Sequence, residues 1–275
     1  MLEPTPCETT TPGAAFQAIA LSCLHRFEIN RELLATTGKP EALHQVRVAL
    51  RQLRTAFAVF EEVLDDEQFG HLRQELRWLA AATNDARDLD ALIARIDDVP
   101  AALAQARERA CARTSKVLAS ARSERLIHDL IDWLANGAPR EARGAAGETA
   151  ASFASASLSK LRAKLKRQSR HLRTLDDGAL HDVRITSKKL RYAAWFFTGL
   201  FPGGKAERRA KRFTDAMRTV QDRLGEIQDV AVAPSTLKRL RVPQACWPKL
   251  PDRSSLVNRA AEDLARTLEC KPYWR

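Results

Sequence analysis

Residues 42–60 read ALHQVRVALRQLRTAFAVF, and residues 179–197 read ALHDVRITSKKLRYAAWFF. Both stretches carry a histidine followed by three basic residues, at offsets of three, seven and ten. Steps of three and four residues return to the same face of an α-helix, so each set forms a stripe about 15 Å long. We name them the first stripe (His44, Arg47, Arg51 and Arg54) and the second stripe (His181, Arg184, Lys188 and Arg191). Like charges in register repel each other, so two such stripes indicate an anionic polymer as the ligand.

Apolar residues occupy a separate face of each stretch. Val46 and Leu50 share one face in the first stretch, and Val183 and Leu190 share the matching face in the second. At about 100° per residue, the centre of the apolar face lies roughly 120° from the centre of the stripe. Each helix is therefore expected to bury one side in a bundle and to present cations from another. Pseudo-symmetric packing would let both stripes line a common basic groove.

Helical spacing of apolar residues continues through most of the 275-residue chain, and no segment shows the alternation of a β-strand. We therefore predict an all-α fold that follows a disordered, Thr- and Pro-rich tail at 1–13. Pro234 falls inside a helical segment and is expected to begin or kink a helix there. Helices are predicted near 14–36, 40–64, 66–83, 86–98, 101–119, 124–135, 149–174, 178–200, 205–225, 228–240 and 253–269.

The similarity between the two stretches extends to what precedes and follows them. A long helix and a polar turn come before each stripe, and an aromatic end and a helix with Arg77 or Arg218 come after it. Two copies of one helical unit, related by a pseudo-two-fold axis, explain this pattern. We predict one domain, 14–275, of two four-helix-bundle-like repeats packed around a basic groove. The repeats are expected at about 14–136 and 149–270, with a Gly- and Ala-rich link at 137–148.

The charge balance also favours an anionic partner. Lys and Arg number 45 against 34 Asp and Glu, a formal net charge of +11, which favours nucleic acid, an acidic membrane surface or a phosphate polymer.

Five widely separated cysteines without a CxxC spacing argue against a disulfide framework or a zinc site. The amino terminus lacks the basic run of a signal peptide, and no run of about 18 apolar residues could span a membrane. We expect a soluble cytoplasmic protein without a metal or another cofactor.

Both stretches are followed by an aspartate box, RDLD at 87–90 and QDV at 228–230, and together these motifs resemble the CHAD domain (conserved histidine α-helical domain). ARSERLIHDLIDWL at 121–134 is similar to the segment that connects the two halves of that family. The resemblance covers the chain from Ala14 to the last helix. It implies two four-helix-bundle-like repeats and the binding of inorganic polyphosphate through basic residues.

On that resemblance, all eight stripe residues fall on signature positions of the family. Lys188 stands where Arg is frequent, which keeps the charge. Some members of the family are fused to a triphosphatase domain with an ExExK signature. This chain has no ExExK, so the resemblance implies no triphosphatase activity.

Further cations are secondary candidates for the same ligand. The helix predicted at 149–174 is rich in Lys and Arg, of which Lys166 and Arg170 lie away from its apolar stripe and are predicted to be solvated surface. The secondary candidates are Arg26, Arg73, Arg77, Arg162, Lys164, Lys189 and Arg218.

The histidines and the two boxed aspartates each have more than one interpretation. His44 and His181 could donate to phosphate or fix the helix start by bonding a neighbouring backbone carbonyl. Asp88 and Asp229 could be general bases or metal ligands. We favour a structural role, in which they orient arginines or cap the following helix, because no partner carboxylate accompanies both. Glu41 and His44 form a Glu-x-x-His pair of the kind found in di-iron bundles, but the second repeat lacks its counterpart, so no di-iron site is predicted.

The sequence therefore predicts a module that binds inorganic polyphosphate along the two stripes without catalysis, and that tethers the protein to polyphosphate granules or delivers the polymer to a partner. Two other classes stay open. A nucleic-acid-binding protein would also be basic, but the stripes lack interleaved aromatics for base stacking, with only Tyr192 and Trp195 nearby. A metal-dependent polyphosphate phosphatase or kinase would need carboxylates beside the cations, and the sequence shows no such cluster.

Overall fold

The computed structural model describes residues 11–64, 67–136 and 148–275. Within these ranges the chain forms α-helices, short 3-10 helices and connecting turns, and no β-strand is present. The prediction of an all-α fold is confirmed. The predicted tail lies outside the described residues as far as residue 10, and the predicted link does so as far as residue 147.

The helices form two series along the chain, one before and one after the predicted link. The first series is α1 (Pro12–Thr37), α2 (Pro40–Val59), α3 (Glu61–Leu64), α4 (Glu67–Ala81), α5 (Asn84–Ile93), α6 (Ala101–Leu118) and α7 (Ala121–Asn136). The second series is α8 (Ala150–Gln168), α9 (Asp177–Phe196), α10 (Gly204–Arg239) and α11 (Arg253–Glu269). Short 3-10 helices lie at Leu172–Thr174, Thr198–Leu200 and Gln244–Cys246.

Local signals set the ends of α1 and the start of α2. Thr11 Oγ1 accepts a hydrogen bond from a backbone N–H of the first turn at 3.3 Å, and Pro12 begins the helix two residues before the predicted start. Gly38 ends α1 in the left-handed conformation, with φ of 61°, and its N–H bonds the Leu34 carbonyl at 2.9 Å. Pro40 then starts α2, the helix that carries the first stripe. The boundary between these two helices therefore follows from local chemistry.

Some helices end earlier than predicted. The helix predicted at 40–64 stops at Val59, and the fully buried Phe60 turns the chain into α3. The helices predicted to reach residues 98 and 174 end at Ile93 and Gln168, and turns or a 3-10 helix follow. These ends depend on how the chain packs beyond each helix, which the apolar spacing does not report.

The helices predicted at 205–225 and 228–240 are one helix, α10, with Pro234 in its interior. The expectation that Pro234 begins a helix is therefore wrong. A proline inside a helix removes one backbone hydrogen bond. Buried side chains along the helix on both sides of the predicted break, such as Leu224 and Leu237, outweigh that loss.

The chain divides into two compact units, each assembled from separate stretches. Unit 1 comprises the chain up to Asn84, Ala112–Ser157 and Trp195–Gly203. Unit 2 comprises Asp85–Cys111, Leu158–Ala194 and Gly204–Arg275. These boundaries differ from those of the predicted repeats, which stay a prediction. The first stripe belongs to unit 1 and the second stripe to unit 2.

The core of unit 1 is an aromatic cluster between packed helices. In this unit α1 packs against α2 and α7, and α2 also packs against α4. The rings of Phe16 and Phe57 lie 5.3 Å apart between centroids, and Trp133 lies 5.6 Å from Phe57. Phe60 and Phe197, which hold equivalent positions after the two stripes, meet at 5.7 Å. Aromatic rings packed in this way contribute stability beyond their buried area.

The last residues of the chain pack against the helices of unit 2. Trp274 packs edge-to-face on Phe213 of α10 at 5.3 Å and donates from Nε1 to the Ser159 hydroxyl of α8 at 3.1 Å. Tyr273 donates its hydroxyl hydrogen to the Ala194 carbonyl of α9 at 2.5 Å. Both aromatic residues are almost completely buried. The carboxy-terminal segment therefore joins three helices of this unit.

Candidate functional site

The first stripe lies on the side of α2 that faces away from its buried residues. His44 and Arg54, at the two ends, are exposed, and Arg47 and Arg51 are half-buried. Val46, on the apolar face of the same helix, is fully buried. The helical spacing in the sequence thus predicted correctly which side of α2 enters the core.

Arg47 is held by a buried threonine between α4 and α5. Its Nη1 atom donates to Thr83 twice, to the hydroxyl oxygen at 2.6 Å and to the backbone carbonyl. Thr83 is 2% exposed, and its hydroxyl donates in turn to the Ala80 carbonyl at 2.7 Å. Because Thr83 is itself fixed, it holds the guanidinium group of Arg47 in one orientation.

Three other members of the first stripe have no hydrogen-bonding partner in the part of the chain that the structure describes. His44, Arg51 and Arg54 form no side-chain hydrogen bond or ion pair with any residue in the described ranges, and Arg77 of α4 forms none either. Burial among neighbouring atoms lowers the pKa of Arg54, and the positive charges of Arg77 and Arg51 lower it further. Arg54 nevertheless has an exposed surface, so it stands where solvent and protein meet. The neighbouring charges that lower its pKa are both cations. A bound anion from solvent would therefore stabilise the protonated form of Arg54.

The second stripe lies on α9, which begins at a side-chain cap. The Asp176 carboxylate accepts a hydrogen bond from a backbone N–H in the first turn at 2.7 Å. His181 is exposed, and Arg184, Lys188 and Arg191 are half-buried. The stripe is therefore at the surface of unit 2 along its whole length.

The two histidines differ in their contacts. With its proton on Nδ1, His181 donates to the side-chain oxygen of Gln228 at 3.1 Å. His44 has no hydrogen bond with a described residue. Neither ring bonds a neighbouring backbone carbonyl within the described ranges, so the helix-start interpretation of these histidines is wrong. The contact of His181 joins the second stripe to the aspartate box at 228–230.

Arg191 is held by a buried glutamine on α10. Its Nε atom donates to the side-chain oxygen of Gln221 at 2.8 Å, and its guanidinium lies 4.2 Å from the ring centroid of Tyr192. Gln221 is 9% exposed and donates from Nε2 to the Ser187 carbonyl at 3.0 Å. The amide therefore has both of its polar atoms in use and fixes Arg191 against the protein.

Each stripe thus has an arginine that a buried polar residue positions, and the sequence pattern predicted neither positioning residue. Thr83 lies 36 residues from Arg47, and Gln221 lies 30 residues from Arg191. A threonine or glutamine at such a distance carries no local signal. The sequence signal that could have identified it is its position shortly before the aspartate box.

Three of the secondary candidates are engaged by the protein. Arg26 lies over Trp195 at 5.0 Å from the ring centroid, and Arg73 forms an ion pair with Glu61. Arg162 donates to two backbone carbonyls at the end of α11. These contacts give each side chain a structural role, and their part in ligand binding stays a prediction.

The other secondary candidates lie at or near the surface. Arg77 and Lys164 are exposed, and Lys189 is half-buried. Arg218 is exposed, and its charge assists the hydrogen bond from Lys211 in lowering the pKa of Asp215. Arg77, Lys164 and Arg218 form no side-chain hydrogen bond or ion pair with a described residue, so they supply positive charge without the fixed geometry of Arg47 and Arg191.

The boxed aspartates lie inside helices, Asp88 in α5 and Asp229 in α10. Neither caps a helix, so that part of their predicted role is wrong.

Across the residues that the structure describes, no three His, Cys, Asp or Glu side chains are grouped so as to hold a metal ion. Among the same residues, no helix combines the length and the apolar character that crossing a membrane requires.

The fold and the two stripes define a class of protein, an all-α chain that carries two rows of cations on two of its helices. The sequence matches the CHAD domain over residues 18–238, most of its length. The chain belongs to the CHAD domain family.

Comparison with solved structures agrees with this assignment. The crystal structure of the CHAD domain from the plant Ricinus communis has 27% sequence identity and a TM-score of 0.74, and the similarity covers 96% of this chain and 89% of that one. PptA from Streptomyces chartreusis, at 16% identity and a TM-score of 0.61, covers 94% of this chain and 96% of its own and shares the fold. No curated protein is significantly similar in sequence.

Proposed function

We propose that this chain binds inorganic polyphosphate through the two stripes and acts as a binding module. Membership of the CHAD family supports a phosphate polymer as the ligand, because polyphosphate binding is the property associated with that family. The regular spacing of the cations, one or two per helical turn, suits a linear polymer with a charge on each unit. Arginine adds preference for phosphate because its planar fork can grip two oxygens at once.

The observation that carries the proposal is the group Arg51, Arg54 and Arg77 in unit 1. None of the three has a hydrogen bond or ion pair with a described residue, and the charges of Arg77 and Arg51 act against the protonated form of Arg54. Holding such a group together costs free energy in the unbound protein. A bound polyanion would remove that cost, and the gain would appear as affinity.

The module is proposed to act without catalysis, as a tether to polyphosphate granules or as a carrier that delivers the polymer to a partner. Phosphoryl transfer normally needs placed carboxylates and a metal besides cations. Among the described residues, the recurring acids Asp88 and Asp229 belong to no group of three His, Cys, Asp or Glu side chains that could hold a metal ion.

A competition titration tests the ligand. Polyphosphates of defined length and single-stranded DNA of equal charge are added at matched salt, and affinity is followed by fluorescence anisotropy. We expect polyphosphate to bind more tightly, and its affinity to fall steeply with salt because charged contacts release counterions. Equal or tighter binding of the DNA would favour the nucleic-acid class and end the polyphosphate proposal.

Two matched substitutions test the stripes. Arg51→Ala and Lys188→Ala remove one cation from the middle of each, and a charge-assisted hydrogen bond is worth about 1.5–3 kcal/mol, so the affinity should fall by about tenfold or more in each variant. The double variant should bind more weakly than either. Controls are Arg125→Ala on α7 and Arg259→Ala on α11, both exposed and outside the stripes. An unchanged affinity in Lys188→Ala would remove the second stripe from the binding site.

A further inference from the structure

Beyond the two stripes, the second half of the chain has a segment that is basic without any acidic residue. Residues 150–175, which include the whole of α8, contain seven Lys or Arg, one His and no Asp or Glu. The seven are Lys160, Arg162, Lys164, Lys166, Arg167, Arg170 and Arg173. Surface helices commonly alternate acids and bases at spacings of three and four, which stabilises them. This segment lacks such pairs.

Four of these cations have no side-chain partner among the residues that the structure describes. Lys164, Lys166, Arg167 and Arg170 are exposed, and none of their side chains forms a hydrogen bond or ion pair with a residue in the described ranges. We name these four the α8 basic face. Lys164 and Arg167 are three residues apart on α8, and Arg170 lies in the turn that follows the helix. Like charges at a spacing of three residues destabilise a helix by a few tenths of a kcal/mol, so the sequence keeps Lys164 and Arg167 together at a small cost.

The charge of the whole protein is concentrated in the unit that carries this face. Unit 2 has 31 Lys or Arg against 18 Asp or Glu, an excess of 13, whereas unit 1 has 14 against 16. The net charge of +11 therefore comes from unit 2 alone. The field of such a surface extends about a Debye length into solution, roughly 8–10 Å at physiological salt, and raises the local concentration of an anionic polymer.

We propose that the α8 basic face is a capture surface for anionic phosphate polymer, which speeds association and leaves retention to the stripes. This inference rests on the proposed function. The face has no aromatic side chain on which a base could stack, so it favours a phosphate chain by charge alone. No described residue forms a hydrogen bond or ion pair with its side chains, so they supply long-range attraction and little geometric recognition.

The α8 basic face and the stripes differ in how firmly the protein holds their cations. Arg47 and Arg191 are fixed by Thr83 and Gln221, so their contacts with a ligand would be pre-organised and would slow its release. Unfixed surface charges mainly change the association rate and its salt dependence. The two groups of cations should therefore affect different rate constants.

The test replaces all four residues of the α8 basic face with glutamine (Lys164→Gln, Lys166→Gln, Arg167→Gln and Arg170→Gln), which keeps helix propensity. Stopped-flow fluorescence with end-labelled polyphosphate gives the association and dissociation rate constants at several salt concentrations. We expect association at low salt to slow by about tenfold or more, with dissociation changed less than twofold. The difference should vanish near 1 M salt, where the Debye length is about 3 Å.

A control variant removes four charges from the same unit at exposed positions elsewhere: Lys238→Gln, Arg239→Gln, Lys249→Gln and Arg259→Gln. It has the same net charge as the test variant and should slow association less. An equal slowing in the control would overturn the proposal, because total charge and not this face would be responsible. Faster dissociation of the test variant with unchanged association would also overturn it. Circular dichroism and thermal melting confirm that both variants fold.

The experiments distinguish failure of the capture surface from failure of the proposed function. If the unaltered protein does not bind polyphosphate, the function is wrong. If it binds, and Arg51→Ala weakens binding while the test variant associates at the normal rate, only the capture surface is wrong. The preference for polyphosphate over DNA should be equal in the test variant and the unaltered protein, and a changed preference would make the face a recognition site.

Discussion

Replacing Gln221 with leucine should weaken polyphosphate binding through Arg191. Gln221 touches no ligand in this proposal, because it is 9% exposed and its amide is occupied by Arg191 Nε and the Ser187 carbonyl. Leucine fills much of the same volume and removes both hydrogen bonds. The guanidinium of Arg191 would keep its contact with the ring of Tyr192 but lose the hydrogen bond that orients its Nε atom.

The size of the effect follows from the freedom that Arg191 regains. Ordering an arginine side chain costs up to about 2 kcal/mol, and the Tyr192 contact retains part of that order. The expected loss is about 1 kcal/mol in binding, or about fivefold in affinity. Global stability should fall by about 1–3 kcal/mol, since a buried hydrogen-bonding group is removed. Gln221→Glu should weaken binding of the polyanion more, because it places a negative charge beside Arg191.

The assay is a double-mutant cycle of Gln221→Leu and Arg191→Ala, with affinity measured by anisotropy and stability by urea unfolding. In the Arg191→Ala background, Gln221→Leu should cause no further loss of affinity, because the side chain it positions is absent. Its effect on stability should persist in that background. The same fivefold loss of affinity with and without Arg191 would refute a positioning role and make Gln221 purely structural. No loss in either background would refute the reasoning altogether.

Three other outcomes are expected. Trp274→Ala should lower the free energy of unfolding by about 3–5 kcal/mol, since a fully buried indole is lost, and an unchanged urea midpoint would contradict the role of the carboxy-terminal segment. The bidentate hydrogen bonds from Arg122 hold the pKa of Glu75 below its usual value of 4.5, so their stabilisation is present above that pH and is lost as the pH falls. Arg122→Ala should therefore lower the melting temperature at pH 7 and progressively less below pH 4.5, and a pH-independent difference would refute this linkage. Long-chain polyphosphate with Mg²⁺ or Mn²⁺ should release no phosphate, and release that disappears in Asp88→Asn or Asp229→Asn would establish an enzyme.

Some structural features could be predicted because they depend on nearby residues. The spacing of Val46 and Leu50 places them on one side of any helix that contains them, and the structure buries both. Thr11 and Gly38 act within one turn of their own positions. The merged helix α10 shows the limit of such signals, because Pro234 is a strong local breaker that distant packing overrides.

The sequence by itself determined the all-α class, the family and the positions of the two stripes, because helical periodicity and the paired motifs are local properties of the chain. Only the tertiary structure decided which cations are held and which are free. Arg47 and Arg51 stand one turn apart in the same motif, yet Thr83 fixes the first and no described residue bonds the second. That difference depends on a side chain 36 residues away, and hydrogen bonds between distant residues exist only after the helices have packed.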